Sequence, residues 1–257
     1  MTENIFLTGS IVLFDENLSD LDGTINSFLG IPIANKKLYL IDNTTENFFE
    51  YVFVHENIEY TSNEKNIGFG SGHNRILNKI SEISDYHLIL NPDVSFEKSV
   101  IPNLILELKK HQNVAMIAPK VLFPDGSHQY SCRRYPVVIE LLARRFKILK
   151  HLFENKVFRG EYREKELSKP FFAEYLTGCF QLYKTADFVK LNGFDERYFL
   201  YMEDVDICKK LDILGKKKLY YPQEQIIHVL KQGSLKNVNL FLNHLTSAIK
   251  YFLKWGF

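Results

Sequence analysis

His87-Leu88-Ile89-Leu90 runs directly into Asn91-Pro92-Asp93. A short apolar run followed at once by a carboxamide, a proline and a carboxylate describes a buried strand that stops abruptly. It delivers an acid to the edge of its sheet. The same punctuation recurs upstream. Ile5–Phe14, apolar and β-rich, meets Asp15-Glu16, and Leu38-Tyr39-Leu40-Ile41 meets Asp42-Asn43. Asn17–Leu29 sets Leu18, Leu21, Ile25 and Phe28 at helical spacing, with Ser19 and Asp22 placed as a capping box. Gly70–Ile83 and Val100–Leu108 read as further helices, and Ile58–Thr61 and Val114–Ala118 as further strands. Short strands separated by helices predict an α/β fold with a mostly parallel, doubly wound sheet.

The second half is less regular. Pro124-Asp125-Gly126-Ser127 marks a turn, Val137–Phe153 a basic and apolar helix, and Glu154–Lys169 a charged, mobile loop. Tyr175–Tyr183 contains a strand, and Thr185–Leu191 is a short helix that Gly193 ends. Asp204–Leu214 is a helix with Val205, Cys208 and Leu211 inward, and Leu219–Tyr221 a strand stopped by Pro222. Val238–Lys254 is a final amphipathic helix. With no linker and no repeat, 1–235 reads as one continuous domain and 236–257 as a helical extension.

The 257 residues are 46% hydrophobic and 25% charged, which excludes disorder, collagen and coiled coil. No apolar run reaches the ~18 residues of a membrane span, and the N-terminus lacks a basic leader, so a cytosolic chain is expected. The three cysteines are too few and too scattered for a disulfide framework or a Cys-rich zinc site. A net charge of +1 conceals two basic segments: 133–165 has 10 Lys/Arg against 4 Glu, and 216–257 has 7 Lys against 1 Glu. Such patches suit lipid head groups or diphosphates. The aliphatic character of both runs argues against nucleic acid.

In open α/β sheets ligands bind outside the carboxyl ends of the strands, which singles out Asp15, Asp42, Asn43, Asn91 and Asp93. Asn66-Ile67-Gly68-Phe69-Gly70-Ser71-Gly72 adds a glycine-rich turn that opens a helix. Its spacing is not the dinucleotide G-x-G-x-x-G, and neither a P-loop nor a G-x-S-x-G elbow occurs. One or two carboxylates suffice for a hard divalent cation that takes its other ligands from phosphate, and Asp93 is so placed. Tyr201-Met202-Glu203-Asp204-Val205-Asp206 opens a helix with three acids in four positions, more than a helix dipole requires. Flanking apolar residues raise carboxylate pKa values and suit them to general-base work. His228, in Ile226-Ile227-His228-Val229, is a secondary candidate for metal or phosphate contact.

Read in order, these stretches resemble glycosyltransferase family 2. The resemblance is carried by Ile11–Phe14, Leu40–Asn43, Asn66–Gly70 with Asn74, Leu90–Asp93, Thr177-Gly178-Cys179-Phe180, Gly193-Phe194-Asp195-Glu196 and Phe199–Asp206. Within the family the chain is most similar to bacterial rhamnosyltransferases of O-antigen and cell-wall polysaccharide synthesis. The resemblance implies a GT-A fold and an inverting, metal-assisted transfer from a nucleotide-diphospho sugar, dTDP-L-rhamnose foremost, to a lipid-linked or growing glycan. It implies a nucleotide-binding half over 1–120 and an acceptor half over 121–235. Asp42 would meet the base, while Asp15, Asn43, Asn66, Gly68, Gly70 and Asn74 would line the nucleotide pocket. Asp93 beside Asn91, helped by His228, would hold Mg or Mn. Asp204 would be the base, with Glu203 beside it.

The chain departs from the pattern where Asn91 replaces the first acid of a D-x-D and where Asp15 stands for a frequent Asn. On this reading both basic amphipathic segments lie on an anionic membrane, where a polyprenyl-diphosphate acceptor is met, the final helix by Phe241, Leu245, Ile249 and Phe252. The alternatives are packing on the sheet or on a second subunit, and, for the whole chain, a non-catalytic sugar-nucleotide-binding module.

Overall fold

The computed structural model describes residues 5–44, 53–145, 151–230 and 238–256. Strands β1 (Phe6–Leu13), β2 (Asn35–Asp42), β3 (Ile58–Ser62) and β4 (Tyr86–Leu90) form a parallel half-sheet in the order β3-β2-β1-β4. The chain order reverses at β1, and a crevice opens between the ends of β1 and β4 there. Beyond β4 lie β10 (Phe180–Lys184), β6 (Val114–Leu122), β11 (Lys217–His228) and β5 (Val94–Phe96), with β8 (Phe171–Phe172) also on β11. β10 is antiparallel to both β4 and β6, so this half is mixed. β7 (Cys132–Arg133) and β9 (Tyr175–Leu176) pair separately.

Strand alternation sorts side chains onto two faces. Leu7, Ile11, Leu38, Leu40, Leu88 and Leu90 face one core, under α1 (Leu18–Leu29) and α4 (Val100–Lys110). Gly9 lies on that face because a Cβ would meet the ring of Phe28 at 2.5 Å. Val12, Tyr39, Ile41 and Ile89 face the other core, under α2 (Phe69–Asn74), α3 (Leu77–Ile83), α7 (Thr185–Lys190), α8 (Glu203–Ile213) and α9 (Val238–Trp255).

Several expectations are corrected. The cap of α1 is Asn17, whose Oδ1 accepts from Ser19 N at 2.9 Å, while Asp22 accepts from Asn26. The helix expected over 70–83 is split into Phe69–Asn74 and Leu77–Ile83, with Ile76 between them and Ile80 both buried. The expected loop 154–169 begins as a helix, α6 (Glu154–Gly160), and buries Tyr162. Arg134 pairs with Glu164, and Arg163 with Glu161 at 2.7 Å, so its charges are matched rather than solvated. The preceding helix is described as α5 (Val138–Arg145); residues 146–150, with Lys147 and Lys150, lie outside the described residues. Pro222 does not end its strand. Tyr221 pairs Pro119 and Gln225 pairs Lys120, so 222–224 bulge out and β11 resumes to carry His228 to Val94. Phe252 of α9 is buried, whereas Leu245 and Ile249 on the same side of the helix are exposed, so only part of the expected apolar face is packed.

A polar seam crosses the second core. Ser84 Oγ lies 2.7 Å from Thr8 Oγ1, which lies 2.8 Å from His87 Nδ1. His87 Nε2 lies 3.0 Å from Ser10 Oγ, itself 2.7 Å from His73 Nδ1. Burial pulls His73 well below the ordinary range, with the neighbouring His87 adding to the effect, and burial pulls His87 down to about 3. Both rings are neutral in the native state. The unfolded chain takes up these protons below 6.5 and native His87 only near 3, so stability falls with pH across that window. For His87 the slope is about 1.4 kcal/mol lost per pH unit of acidification. Ring-proton NMR should find His87 still neutral at about pH 5, and urea midpoints should decline on acidification; a ring titrating near 6.5 would refute the assignment.

Candidate active site

The crevice is organised by the turn between β9 and β10. Gly178 N–H donates to Asp204 Oδ2 at 3.0 Å, and a Cβ on Gly178 would lie 3.4 Å from that of Asp204. One residue on, the Cys179 carbonyl accepts from Asn91 N–H at 2.9 Å. The two acidic motifs, far apart in sequence, are therefore joined at one sheet edge by two consecutive turn residues.

On one side of that turn stands a buried ion pair. His228 Nε2 is 3.2 Å from Asp93 Oδ1 and 3.3 Å from Asn91 Nδ2. The far ring nitrogen, Nδ1, lies 2.6 Å from Gln129 Oε1, and Gln129 Nε2 donates to the His228 carbonyl at 3.1 Å. That second bond fixes the amide orientation, so Nδ1 is the donor and Nε2 turns to Asp93. Burial pulls the imidazole pKa down, but the Cys179 sulfur and Asp93 outweigh it and push it up to about 10. A positive charge belongs between Nε2 and Oδ1, as a proton or as a cation. The donor chemistry, one carboxylate and one imidazole oriented from behind, fits a divalent metal that draws its remaining ligands from phosphate. No group of three or more His, Cys, Asp or Glu is clustered for a metal among the described residues.

On the other side, Asp204 begins α8. Its Oδ1 accepts from Val205 N at 2.8 Å, and burial raises its pKa. Glu203 is buried with Oε2 unpartnered among the described residues; burial, then the charge of Asp204, pushes it up to about 8. Asp206, the third acid, is structural: Oδ1 accepts from Tyr198 Oη at 3.1 Å and from Lys254 and Trp255 at 2.7 Å each. Tyr201 and Met202 enter α8 with φ of 68° and 71°. Two successive left-handed non-glycine residues hold strain of about 1–3 kcal/mol each, which surrounding contacts must enforce. Phe69 N–H holds the Phe199 carbonyl at 3.0 Å, Ser247 holds that of Leu200 at 2.8 Å, and His244 packs on Tyr201 with centroids 4.9 Å apart.

The remaining sequence candidates build the crevice wall. Asp42 is fully buried; Oδ1 accepts from Thr44 N and Oγ1, and Oδ2 from Tyr60 Oη at 2.6 Å. Both of its carboxylate oxygens thus have protein partners. Asn43 donates to Asn66 Oδ1 and the Gly68 carbonyl, both at 3.2 Å, and Asn66 Oδ1 also accepts from Gly68 N. Gly68, at φ 92°, has the Phe199 carbonyl 2.2 Å from where its Cβ would stand, and Gly70 has Phe194 at 2.9 Å. These glycines admit close packing against Phe199 and Phe194. Asn74 likewise exchanges bonds of 2.9 Å with Phe194 backbone and donates to Glu196, so its amide ties the two segments together. Asp15 is exposed at the end of β1, with φ 56°. Sequence reasoning missed Gln129, which no motif marks. It also missed the part played by Gly178, which lay inside the quoted Thr177–Phe180 stretch.

No family model matches the chain. It is 27% identical over 184 residues to the N-acetylglucosaminyl-diphospho-decaprenol L-rhamnosyltransferase of Mycobacterium tuberculosis (strain H37Rv), covering 67% of this chain and 59% of that protein. It is 27% identical over 195 residues to rhamnosyltransferase WbbL of Escherichia coli (strain K12), covering 72% and 69% respectively. The chain thus spans about 59% of the length of its mycobacterial relative. Its fold matches GalNAc-T7, solved with UDP, GalNAc and Mn2+, with TM-score 0.63 and 16% identity over 88% of this chain and 44% of that one. It also matches S. aureus TarS 1–349, with TM-score 0.61 and 12% identity over 87% and 60%. The fold is GT-A, and the expected likeness to rhamnosyltransferases holds.

Glu203 supplies a test independent of activity. Its native pKa near 8 lies above its ordinary 4.5, so the native state holds a proton that the unfolded state releases, and stability drains as pH rises between those values. Glu203→Gln should leave stability unchanged below 4.5 and raise it increasingly up to about 8. Equal urea midpoints for the two proteins at both ends of this range would refute the burial of an acid there.

Proposed function

We propose that this chain is an inverting glycosyltransferase. It moves a sugar, L-rhamnose from dTDP-L-rhamnose, to a hydroxyl of a lipid-linked or growing glycan in one displacement. The observation that carries the reading is the Thr177–Cys179 turn. It holds the Asp204 carboxylate and, one residue away, the Asn91-Pro92-Asp93 motif at one sheet edge. A single displacement needs a base on one side of the anomeric carbon and charge neutralisation on the other. Support for the sugar and acceptor class comes from the rhamnosyltransferase relatives, one of which is named for a diphospho-decaprenol acceptor.

Residues 1–120 form the donor half and 121–235 the acceptor half. Asp204, kept in place by two backbone N–H groups, takes the acceptor proton; its raised pKa strengthens it as a base. Glu203, protonated at neutral pH, donates a hydrogen bond that orients the acceptor without adding a second negative charge beside the base. Asp93 and His228 would hold Mg or Mn, with Gln129 fixing the ring and Asn91 beside it. When bound, the ion neutralises charge on the departing diphosphate. Asp15, exposed at the rim, and the Asn43–Asn66–Gly68 network, supported by Asp42, Gly70 and Asn74, shape the nucleotide side. The buried, strained acid pair argues against a binding-only module, which needs neither a raised carboxylate nor two left-handed residues to aim it.

Asp204→Asn should lower transfer by roughly 10²–10⁴-fold, with donor affinity by calorimetry unchanged; undiminished turnover removes the assignment. Asp93→Ala should weaken donor binding in the presence of Mn2+ and leave metal-free binding as it was. An equal loss in both conditions would count against the metal role.

A further inference from the structure

We infer that one buried water molecule joins Glu203 to His73, so that the polar seam of the second core ends on the acid beside Asp204. The direction of every proton in that seam follows from its far end. Ser84 Oγ donates to the Tyr86 carbonyl at 2.8 Å, which uses its only proton. Thr8 then donates to Ser84 across 2.7 Å, and its oxygen accepts from His87 Nδ1 at 2.8 Å. A neutral ring protonated at Nδ1 accepts at Nε2, so Ser10 donates to His87 at 3.0 Å. The Ser10 oxygen in turn accepts from His73 Nδ1 at 2.7 Å. His73 Nε2 is therefore a bare lone pair. It is buried and has no partner among the described residues.

Glu203 is its complement. Oε2 is likewise buried without a partner among the described residues, and burial keeps the proton on this carboxyl at neutral pH. One atom is thus a donor without an acceptor, and the other an acceptor without a donor. They share an aromatic shell. A Cβ on Gly70 would stand 3.6 Å from that of Glu203, and His73 follows three residues on along the same face of α2, ~5–6 Å away. Phe194 packs against both, with its Cβ 2.9 Å from the Gly70 position and its ring 5.9 Å from that of His73. Phe69 packs on His73 with centroids 4.4 Å apart, but its ring cannot satisfy Nε2, which has no hydrogen to offer it. A water that accepts from Glu203 and donates to His73 satisfies both atoms, and buried waters take roughly two to four such partners.

The seam sets which form of Glu203 it favours. Through the water, a ring protonated at Nε2 would feed donors towards a carboxylate, whereas this ring draws a proton from an acid. His73 is thus a positioning residue: it keeps Glu203 protonated, with Oε2 turned inward, in the unliganded chain. That polarity begins at the Tyr86 carbonyl, at the opposite end of β4 from Asn91. On the proposed activity, on which this consequence rests, Asp204 is then the one negative charge that the pair presents to an incoming hydroxyl.

High-resolution diffraction from crystals of the full chain should place an ordered water within hydrogen-bonding distance of both Glu203 Oε2 and His73 Nε2. Nitrogen NMR of isotopically labelled histidine should find His73 neutral and protonated at Nδ1, with Nε2 shifted from the position of a free lone pair by its bond to the water. Glu203→Met removes the donor and should return Nε2 to that free position. Glu203→Gln, whose amide N–H donates in turn, should leave it as in the wild type. A ring protonated at Nε2, no water between the two atoms, or an Nε2 resonance indifferent to Glu203→Met would each overturn the link. Should Glu203→Met fail to fold, the diffraction and the tautomer of the wild type decide. A chain that shows the water and this tautomer yet transfers no sugar would refute the proposed activity and leave the link standing.

Discussion

A single glycine N–H carries much of this architecture. The bond from Gly178 to Asp204 fixes the head of α8 to the turn that enters β10, while the adjacent Cys179 carbonyl holds the end of β4. A hydrogen bond to a charged acceptor is worth about 1.5–3 kcal/mol, enough to restrict the carboxylate to one orientation. Around it the two halves meet by close approach rather than by a linker. Gly68 and Gly70 let Phe199 and Phe194 sit against the donor-side turn, and Asn74 crosses from α2 to the Phe194 backbone. Removing the side chain at 68 and 70 is what allows the chain from Phe199 onward to reach the crevice.

The acids at the start of α8 divide their work by environment. Asp206 takes three bonds on Oδ1, from Tyr198, Lys254 and Trp255, and ties α9 down. Asp204 is held by backbone N–H groups, and Glu203 has an oxygen without a partner among the described residues. Three neighbouring carboxylates thus become an anchor, a carboxylate fixed by backbone N–H groups, and a proton holder. Strain at Tyr201 and Met202 aims the pair, and α9 braces the strained backbone from outside.

Much of this was legible in the residue order. Strand periodicity in Leu38–Ile41 and His87–Leu90, and the polar residues that end them, located the sheet edge and its acids because alternation and abrupt polarity are local signals. What escaped was non-local. The antiparallel course of β10 is set by pairing with β4 and β6, not by its own five residues. The mobile loop expected over 154–169 is ordered by partners such as Arg134, twenty or more positions away. The partner of the Asn74 amide, the Phe194 backbone, lies 120 residues away. Gln129 carries no pattern at all; only its two bonds to His228 reveal it.

The bulge at Pro222 has a mechanical consequence. Three residues stand outside the ladder between the Tyr221–Pro119 and Gln225–Lys120 pairs, so the strand beyond is drawn back by about 10 Å relative to an unbroken ladder. Because side chains alternate, an odd number of excluded residues also inverts which way each later one points. The imidazole at the strand tip is thereby set by the length of a surface kink, remote from the crevice. Changing that length by one residue would turn both His228 and the core residue Ile226 to the opposite faces of the sheet, so the length of the kink is held by the packing beyond it.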